Sequence, residues 1–348
     1  MRALTLVPGQ AQSARLESLD YLPGDADGLR VNAVAVGVCG TDTEILAGDY
    51  GWAPPGRERL VLGHECFARV AESGAGFERG DPVVPIVRRP DPVPCASCAA
   101  GEWDMCRNGK YTEHGIKSLD GFCTEEMRVR PNFLVRVSPE LGRHAVLVEP
   151  TSVVAKAWEH TERIGRRAHW APRRVLVTGA GPVGLLAALL GRQRGLDVIV
   201  LDRVTEGMKP TLVRALGAEY SSGPLDKLLA DFPPDIVLEC TGASAVVVEV
   251  MRHNAPGCVT CLVGVSSAGK PVPVDVGALN RSLVLENDVI FGSVNANRRH
   301  YEQAAAALAR ADADWLSQLI TRRVPLDHWQ DAFARRPDDV KVLLDIGA

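Results

Sequence analysis

The sequence predicts a two-domain α/β protein, in which a β-rich domain precedes a doubly wound domain built on a parallel sheet. The 348 residues are enough for two hydrophobic cores. Residues 1–150 contain short apolar segments separated by Gly and Pro, a pattern typical of a β-rich domain. From residue 151 onward, helical and apolar strand-like segments alternate, which predicts crossover helices around a parallel sheet.

Each element is predicted from its local pattern of apolar residues. In the first domain we expect strands over 2–7, 29–38, 60–74 and 81–87, and a terminal strand over 340–347 that returns to this domain. In the second domain we expect strands over 173–181, 197–202, 235–240 and 258–264. Helices are expected over 151–164, 182–195 and 301–320.

The composition is that of an ordinary globular protein, and it excludes several partners. A net charge of −4 gives no reason to expect a nucleic acid or an acidic membrane surface. We find no secretory signal, and no apolar run is long enough to span a bilayer. Nine cysteines, an odd number, favour metal ligands or buried thiols in a reducing cytoplasm over a disulfide framework.

A glycine-rich turn opens the second domain. Gly179, Gly181 and Gly184, with Pro182 and Val183, form a G-x-G-x-x-G pattern between a predicted strand and a predicted helix. In this context the first Gly permits a tight turn, the second lets the backbone approach a pyrophosphate, and the third allows close helix–strand packing. The helix N-terminus adds N–H groups for the phosphates. The pattern predicts a Rossmann-type dinucleotide-binding domain.

Two residues bear on which dinucleotide binds. Asp202 ends the next predicted strand, where a carboxylate can accept a hydrogen bond from the ribose 2′-hydroxyl of NAD. Arg203 follows it and could instead pair with the 2′-phosphate of NADP. The sequence therefore favours NAD and leaves NADP open.

A second set of residues predicts a catalytic metal. Cys39 in GVCGTDTE and His64 in LGHE can supply a thiolate and an imidazole, a pair suited to catalytic zinc. For the third ligand Glu149 is the leading candidate. Glu65 is its competitor, because it adjoins His64 and could alternate with Glu149. Asp42 is of the right type to orient His64.

Three further cysteines, Cys95, Cys98 and Cys106, are spaced C-x2-C-x7-C. A structural zinc site is normally closed by four ligands. The spacing therefore indicates a zinc lobe whose fourth ligand has still to be found.

These motifs resemble the zinc-dependent medium-chain dehydrogenase/reductase superfamily over nearly the whole chain. GHE, the strand–GAGPVG–helix segment and the cysteine lobe occur in that superfamily's order. The chain is most similar to the glucose 1-dehydrogenase subfamily, through VRRP (87–90), GKYTEHGIKSLDGF (109–122), VEP (148–150) and GSVNANRRHY (292–301). The resemblance implies a GroES-like catalytic domain over 1–152 and 297–348, and a Rossmann cofactor domain over 153–296.

The resemblance also implies roles at the catalytic metal. Cys39, His64 and Glu149 match the zinc ligands, and Glu65 matches the ligand that exchanges with them. Thr41 matches the hydroxyl that begins the proton relay. The relay's outer end departs from alcohol-oxidising relatives, which often have a histidine where this chain has Glu44.

For the substrate, the resemblance implies two contacts. Glu113 matches a residue that binds sugar hydroxyls, and Asn295 matches an asparagine that closes over the nicotinamide and the substrate.

The cysteine lobe departs from its relatives at one position. Relatives have four cysteines around a structural zinc, and Cys95, Cys98 and Cys106 match the last three. The first position is Pro92, which has no side-chain ligand. Either zinc is completed by Asp91 or water, or the lobe has lost its metal. The three retained thiols favour zinc.

The implied reaction is hydride transfer from a sugar hydroxyl, such as that on C1 of glucose, to NAD(P), with a lactone as product. A polyol, cyclitol or biosynthetic sugar dehydrogenase with the same zinc site is an alternative. A non-catalytic NAD-binding redox sensor is an alternative from a different class. The resemblance further implies a cytoplasmic homo-oligomer, a dimer or tetramer, that acts on a small sugar or polyol.

Overall fold

The computed structural model describes residues 1–252, 255–266 and 271–347. The chain divides into two compact units. Unit 1 comprises Met1–Ser152 and Asn295–Ala348, and unit 2 comprises Val153–Val294. Asn295 and Ala296, which the sequence expectation assigned to the second domain, lie in unit 1. No helix among the described residues is both long and apolar enough to cross a membrane.

Most of the strands lie in unit 1, and strands and helices alternate in unit 2. The strands are β1 (Arg2–Leu6), β2 (Arg15–Ser18), β3 (Leu29–Gly37), β4 (Leu60–Val61), β5 (Glu65–Val70), β6 (Pro82–Pro85), β7 (Arg88–Arg89), β8 (Thr112–His114), β9 (Ser118–Leu119), β10 (Glu126–Val129), β11 (Leu134–Arg136), β12 (Arg174–Thr178), β13 (Asp197–Leu201), β14 (Glu219–Ser221), β15 (Ile236–Glu239), β16 (Val259–Leu262), β17 (Val289–Gly292), β18 (Ile320–Pro325) and β19 (Lys341–Asp345). The α-helices are α1 (Gly40–Ala47), α2 (Ala96–Ala99), α3 (Val148–Gly165), α4 (Pro182–Gln193), α5 (Met208–Ala215), α6 (Leu225–Asp231), α7 (Ser244–Val250), α8 (Val276–Glu286), α9 (Arg298–Ala309), α10 (Ala313–Leu319) and α11 (Trp329–Phe333). Turns of 3₁₀ helix cover Trp103–Met105, Pro131–Phe133, Pro139–Leu147 and Leu326–His328.

The main sheet of unit 1 brings together strands that are far apart in the chain. Its order is β11-β6-β5-β3-β19-β18, and β10 also pairs with β3. β19 is antiparallel to β3 and parallel to β18, so the terminal strand returns to this unit as expected. Two smaller sheets have the orders β2-β1-β4 and β7-β8-β9.

Unit 2 has the doubly wound architecture. Its sheet has six strands in the order β14-β13-β12-β15-β16-β17, and every neighbouring pair is parallel. The central strands are buried and rich in Val, Ile and Leu, as expected of strands covered on both faces. The apolar face of α4, including Leu185 and Leu189, is buried as well. The predicted α/β fold class is confirmed.

Several elements differ from the sequence expectation, and three cases show why. The single strand over 60–74 is wrong: β4 and β5 are separated at residues 62–64, where Gly63 has a φ of +92°. The helix over 301–320 is two helices, because the side chain of Asp312 accepts a hydrogen bond from the N–H of Trp315 and starts α10. The short edge strands β14 and β17 were not predicted, because they lack a long apolar run.

Candidate active site

The predicted metal ligands meet where two paired strands end. β3 and β5 are antiparallel neighbours, with Gly37 opposite Glu65. Cys39 follows two residues after the end of β3, and His64 directly precedes β5. One ligand atom each from Cys39, His64 and Glu65 lies within 4.8 Å of the others. The pairing of these strands therefore brings three residues from two short motifs into one donor group, in which His64 and Glu65 are buried and Cys39 is half-buried.

Asp42 fixes two of these ligands. It lies in the first turn of α1, where one carboxylate oxygen accepts a hydrogen bond from the N–H of Cys39 at 2.9 Å. The other oxygen lies 3.1 Å from Nδ1 of His64, which leaves Nε2 as the nitrogen available to a metal. Burial alone would lower the pKa of His64, but the Asp42 carboxylate outweighs it and holds that pKa well above its usual value. The orienting role expected of Asp42 fits this geometry.

Two carboxylates compete for the third ligand position. Glu65 belongs to the group defined by Cys39 and His64, whereas Glu149, near the start of α3, lies outside it. Glu149 is nevertheless buried beside them. Burial raises the pKa of Glu149 to about 7; the charge of His64 opposes that shift and the charge of Glu65 adds to it. In this structure Glu65 is the nearer candidate ligand, and Glu149 is its neighbour.

Lys341 is a residue of the site that the sequence analysis missed. Its ammonium forms an ion pair with Glu65 and donates a hydrogen bond to the carbonyl of Val38 at 3.0 Å. Both side chains of the ion pair are 2% exposed. A lysine beside the apolar run of the predicted strand VKVLLDIG is the signal that could have revealed it, because lysine is almost never fully buried without a partner.

The space for this ion pair depends on Gly37. A Cβ at that position would lie 2.2 Å from a carboxylate oxygen of Glu65 and 2.9 Å from Cε of Lys341. The backbone of β3 thus passes too close to the pair for any side chain.

The donor set fits a zinc ion. Sulfur, imidazole nitrogen and carboxylate oxygen are the atoms that bind zinc in proteins, and three such ligands leave a position for substrate. Acidic side chains also gather at the site, since the carboxylates of Asp42 and Glu65 lie at Cys39 and His64 and Glu149 lies beside them. These carboxylates would attract a divalent cation.

Two further predicted residues lie on α1. Thr41 is half-buried in the first turn, two residues after Cys39, and Glu44 is exposed. The helix therefore carries a candidate relay hydroxyl next to the donor group.

The two predicted substrate contacts are hydrogen-bonded to each other, and one of them is held by Arg88, a residue that the sequence analysis quoted but did not assign. Glu113 on β8 faces Arg88 on β7, and its Oε1 accepts hydrogen bonds from Nε and Nη2 of Arg88 at 3.0 and 2.9 Å. The same oxygen accepts a hydrogen bond from Nδ2 of Asn295 at 2.6 Å. Arg88 also lies over the ring of Tyr111, 3.7 Å from its centroid. Glu113 is 6% exposed and is held in place by two residues, Arg88 and Asn295.

The cysteine lobe brings its thiols together without Asp91. The sulfur atoms of Cys95, Cys98 and Cys106 lie within 4.8 Å of one another. The N–H of Arg107, which donates to the Cys95 sulfur, lowers the pKa of that thiol to about 6. These thiols fit a zinc ion.

Both carboxylate oxygens of Asp91 accept hydrogen bonds from the surrounding loop. One of its oxygens accepts from the N–H of Val93 and the other from Nδ2 of Asn108, both at 2.9 Å. Asp91 lies outside the group of three sulfurs.

In unit 2 the three glycines of the turn have three different surroundings. Gly179 has a φ of +90°, which only glycine adopts readily. A Cβ on Gly184 would lie 1.8 Å from the carbonyl oxygen of Gly179. A Cβ on Gly181, the N-cap of α4, would meet nothing within 4 Å, so this position faces open space. Pro182 and Val183 form the first turn of α4. This geometry fits a pyrophosphate at the helix N-terminus.

Asp202 follows β13 and holds this turn. Its Oδ2 accepts hydrogen bonds from the N–H of Ala180 at 2.7 Å and from Nζ of Lys209 at 3.1 Å, and its Oδ1 accepts from the N–H of Val204 at 3.2 Å. Burial alone would raise the pKa of Asp202, but the Ala180 N–H and the Lys209 charge lower it. Arg203 is exposed. Lys209 was not singled out from the sequence.

Comparison with known proteins decides the family. The family model "Glucose dehydrogenase C-terminus" matches residues 142–346, and "Alcohol dehydrogenase GroES-like domain" matches residues 25–139. The chain is 40% identical over 354 residues to glucose 1-dehydrogenase 1 of Caldivirga maquilingensis, and the match covers 99% of each chain. The chain belongs to the glucose dehydrogenase family. It is also 41% identical over 354 residues to glucose 1-dehydrogenase 2 of Vulcanisaeta moutnovskia, again with 99% of each chain covered.

A solved structure agrees with this membership. Glucose dehydrogenase of Haloferax mediterranei, in complex with NADP, Zn and gluconolactone, is similar to this chain with a TM-score of 0.92 and 29% identity, and the match covers 100% of both chains. The resemblance to zinc-dependent medium-chain dehydrogenases, and to their glucose 1-dehydrogenase subfamily, is confirmed.

Proposed function

We propose that this protein is a zinc-dependent glucose 1-dehydrogenase, which transfers hydride from C1 of an aldose to NAD(P) and yields a lactone. The buried group of Cys39, His64 and Glu65 carries the proposal, because sulfur, nitrogen and oxygen donors converge there within 4.8 Å. The names of the relatives and the zinc, NADP and gluconolactone bound by the Haloferax enzyme support the substrate and the product.

At the metal site the protein's residues bind and orient. Cys39, His64 and Glu65 would hold the ion, and Glu149, which lies beside them, would exchange with Glu65. Bound zinc supplies Lewis-acid chemistry that lowers the pKa of a coordinated hydroxyl. The Asp42 carboxylate forms a hydrogen bond with Nδ1 of His64. This bond orients the ring so that Nε2 faces away from Asp42. Thr41 takes the proton from the substrate hydroxyl and passes it outward.

Glu113 and Asn295 bind the sugar. All three donors to Glu113 reach Oε1, and among the described residues no donor contacts Oε2. Oε2 is therefore the atom that accepts a hydrogen bond from a sugar hydroxyl. A buried carboxylate needs such partners, since an unsatisfied polar group costs about 1–3 kcal/mol.

Unit 2 binds the cofactor, and unit 1 carries the catalytic site. The turn at Gly179–Gly184 takes the pyrophosphate, and Asp202 takes the adenosine ribose. A bound nicotinamide would supply the hydride acceptor of the reaction.

Substitution of the metal ligands tests the function. Cys39→Ala and His64→Ala should each abolish aldose oxidation, followed by absorbance of the reduced nicotinamide, and remove one zinc per chain by metal analysis. Cys258→Ala removes a buried thiol of unit 2 and serves as the matched control. Wild-type turnover in either ligand variant after metal stripping would disprove the zinc mechanism.

A panel of substrates separates the proposal from the polyol alternative. Glucose or galactose should reduce NAD or NADP and release acid as the lactone hydrolyses. Turnover with sorbitol or inositol, and with neither aldose, would assign a polyol or cyclitol dehydrogenase instead. Absence of bound zinc together with intact NAD binding would favour the redox sensor.

We further propose that the protein is a cytoplasmic homodimer that pairs through unit 2. In the described sheet β17 is an edge strand. Three apolar residues of the preceding helix α8 are exposed, with exposed fractions of 69% for Val276, 65% for Val284 and 64% for Leu285. An edge strand beside exposed apolar residues is typical of an interface. All nine cysteines have free thiols, which supports a reducing compartment. Light scattering of the wild type and of Leu285→Glu tests the dimer, which the charge should dissociate.

A further inference from the structure

The adenosine end of the cofactor site carries a cation that is already paired. Asp202, expected to bind the ribose, lies 3.1 Å from Nζ of Lys209 through Oδ2. The Asp202 side chain is 10% exposed and that of Lys209 is 21% exposed, so the pair is mostly buried but within reach of a ligand. The same carboxylate holds Ala180 of the glycine-rich turn, at 2.7 Å. The pair and the turn therefore form one unit.

The position of Lys209 in its helix is unusual. Lys209 is the second residue of α5, whose N-cap is Gly207. A cation at this end of a helix is unfavourable, because the helix dipole is positive there. Asp202 compensates the charge in the free protein. An additional anion at this point would be stabilised by both the ammonium and the helix N-terminus.

The two cofactors differ at this place in one group. NAD presents a ribose 2′-hydroxyl, for which an unpaired carboxylate is the usual acceptor, and NADP presents a 2′-phosphate, which an unpaired carboxylate repels. Asp202 paired with Lys209 has no net charge, so the repulsion is offset. Arg203, the other candidate cation, is exposed and forms no ion pair in the described part of the chain.

From this arrangement, and resting on the proposed dinucleotide site of unit 2, we infer that Lys209 is the residue that admits NADP. The 2′-hydroxyl of NAD donates to Asp202, and the 2′-phosphate of NADP binds Lys209 at the start of α5. The protein consequently uses both cofactors. Lys209 then contacts the 2′-phosphate, rather than Arg203, which the sequence had offered as the phosphate contact.

Direct binding tests this inference without any sugar turnover. NADH and NADPH are titrated by nicotinamide fluorescence into the full-length wild type and into Lys209→Gln, Lys209→Arg and Arg203→Gln. We expect the wild type to bind both cofactors with dissociation constants within about tenfold of each other. Lys209→Gln should weaken the binding of NADPH by about tenfold or more, and tenfold is equivalent to about 1.4 kcal/mol. The same variant should change the dissociation constant of NADH by less than about threefold. Lys209→Arg should retain NADPH, and Arg203→Gln should leave both cofactors nearly unchanged.

The outcomes separate two kinds of failure. Equal losses for both cofactors in Lys209→Gln, no loss for either, or a selective loss of NADPH in Arg203→Gln would each overturn the role of Lys209 while the proposed function stands. A wild type that binds NADH and not NADPH would overturn it as well. A wild type that binds neither would remove the proposed cofactor site itself. Thermal unfolding of Lys209→Gln checks that the variant is folded.

Discussion

Lys341 and Glu65 form an ion pair in which both side chains are 2% exposed. Removal of one partner leaves the other charge buried and unpaired, which typically costs about 3–5 kcal/mol. We therefore expect Lys341→Met to lower the free energy of unfolding of the metal-free protein by about that amount in urea denaturation. Arg323→Met is the control, because Arg323 is 51% exposed in its ion pair with Asp345 and should change stability by less than about 1 kcal/mol. Equal effects would refute the contrast.

Asp42 should control metal affinity rather than hold the metal. Loss of a carboxylate that orients a histidine ligand typically weakens binding by about 10–100-fold. We expect Asp42→Ala to show this loss in competition with a zinc chelator. Glu44 lies on the same helix and is exposed, so Glu44→Gln should bind zinc as the wild type does. Unchanged affinity in Asp42→Ala would mean that Cys39 and His64 are positioned without it.

The cysteine lobe should hold zinc without Asp91, since both carboxylate oxygens accept hydrogen bonds from Val93 and Asn108. Metal analysis of the wild type should give about two zinc ions per chain, one in each site. Cys98→Ser should reduce this to about one, and Asp91→Asn should leave it at about two. Loss of one zinc in Asp91→Asn would instead identify Asp91 as the fourth ligand.

Substitutions at two glycines of the cofactor turn should have different effects, one on cofactor binding and the other on the stability of the fold. A Cβ at Gly181 meets nothing within 4 Å, so Gly181→Ala should unfold within about 2 °C of the wild type but bind NAD at least about tenfold more weakly. A Cβ at Gly184 would lie 1.8 Å from the Gly179 oxygen, so Gly184→Ala should lose about 1–3 kcal/mol of stability. Calorimetry and cofactor titration measure both. The reverse pattern would contradict the assignment.

His114 should make the protein sensitive to acid. Its Nδ1 donates to the carbonyl of Asp120 at 2.6 Å, and its ring stacks on Phe122 with centroids 4.6 Å apart. Burial, together with the charge of Arg89, lowers its pKa to about 3. Between these two pKa values, His114 of the unfolded chain, with a pKa of about 6.5, therefore binds a proton and His114 of the folded chain does not. Stability falls as pH drops from about 6.5 toward 3.

The substitution His114→Asn removes this titration while an amide N–H can still reach the Asp120 carbonyl. Between pH 6.5 and 4.5 the wild type should lose about 2–3 kcal/mol more than the variant, as measured by urea denaturation of metal-free protein. Parallel pH profiles for the two proteins would show that His114 is protonated in the folded state.

The sequence was informative where one short segment carries the whole signal. The glycine turn and the central strands of unit 2 have local patterns, and their elements were found. Cys39 and His64 were recognised because each lies in a compact motif. The helix over 301–320 was misjudged because the capping of α10 by Asp312 depends on one hydrogen bond that an apolar pattern does not report.

Other features depend on contacts between distant segments. Whether Glu65 or Glu149 groups with Cys39 and His64 depends on how segments far apart in the chain come together. The ion pair of Lys341 exists only because β19 lies beside β3. Lys209 reaches Asp202 from the next helix, and nothing in its own surroundings in the sequence indicates a ligand.

Because β19 lies between β3 and β18, the main sheet of unit 1 can be completed only near the end of synthesis. Lys341 is made 303 residues after Val38, the backbone that it contacts. At about 5–20 residues per second, the ribosome needs roughly 15–60 s to cover that interval. During this time Glu65 already exists but its ammonium partner does not, and the middle of the main sheet lacks a strand. The ion-pair partner of Glu65 is consequently supplied late in synthesis, in contrast to the strands of the unit 2 sheet, which have all been made before β18 begins.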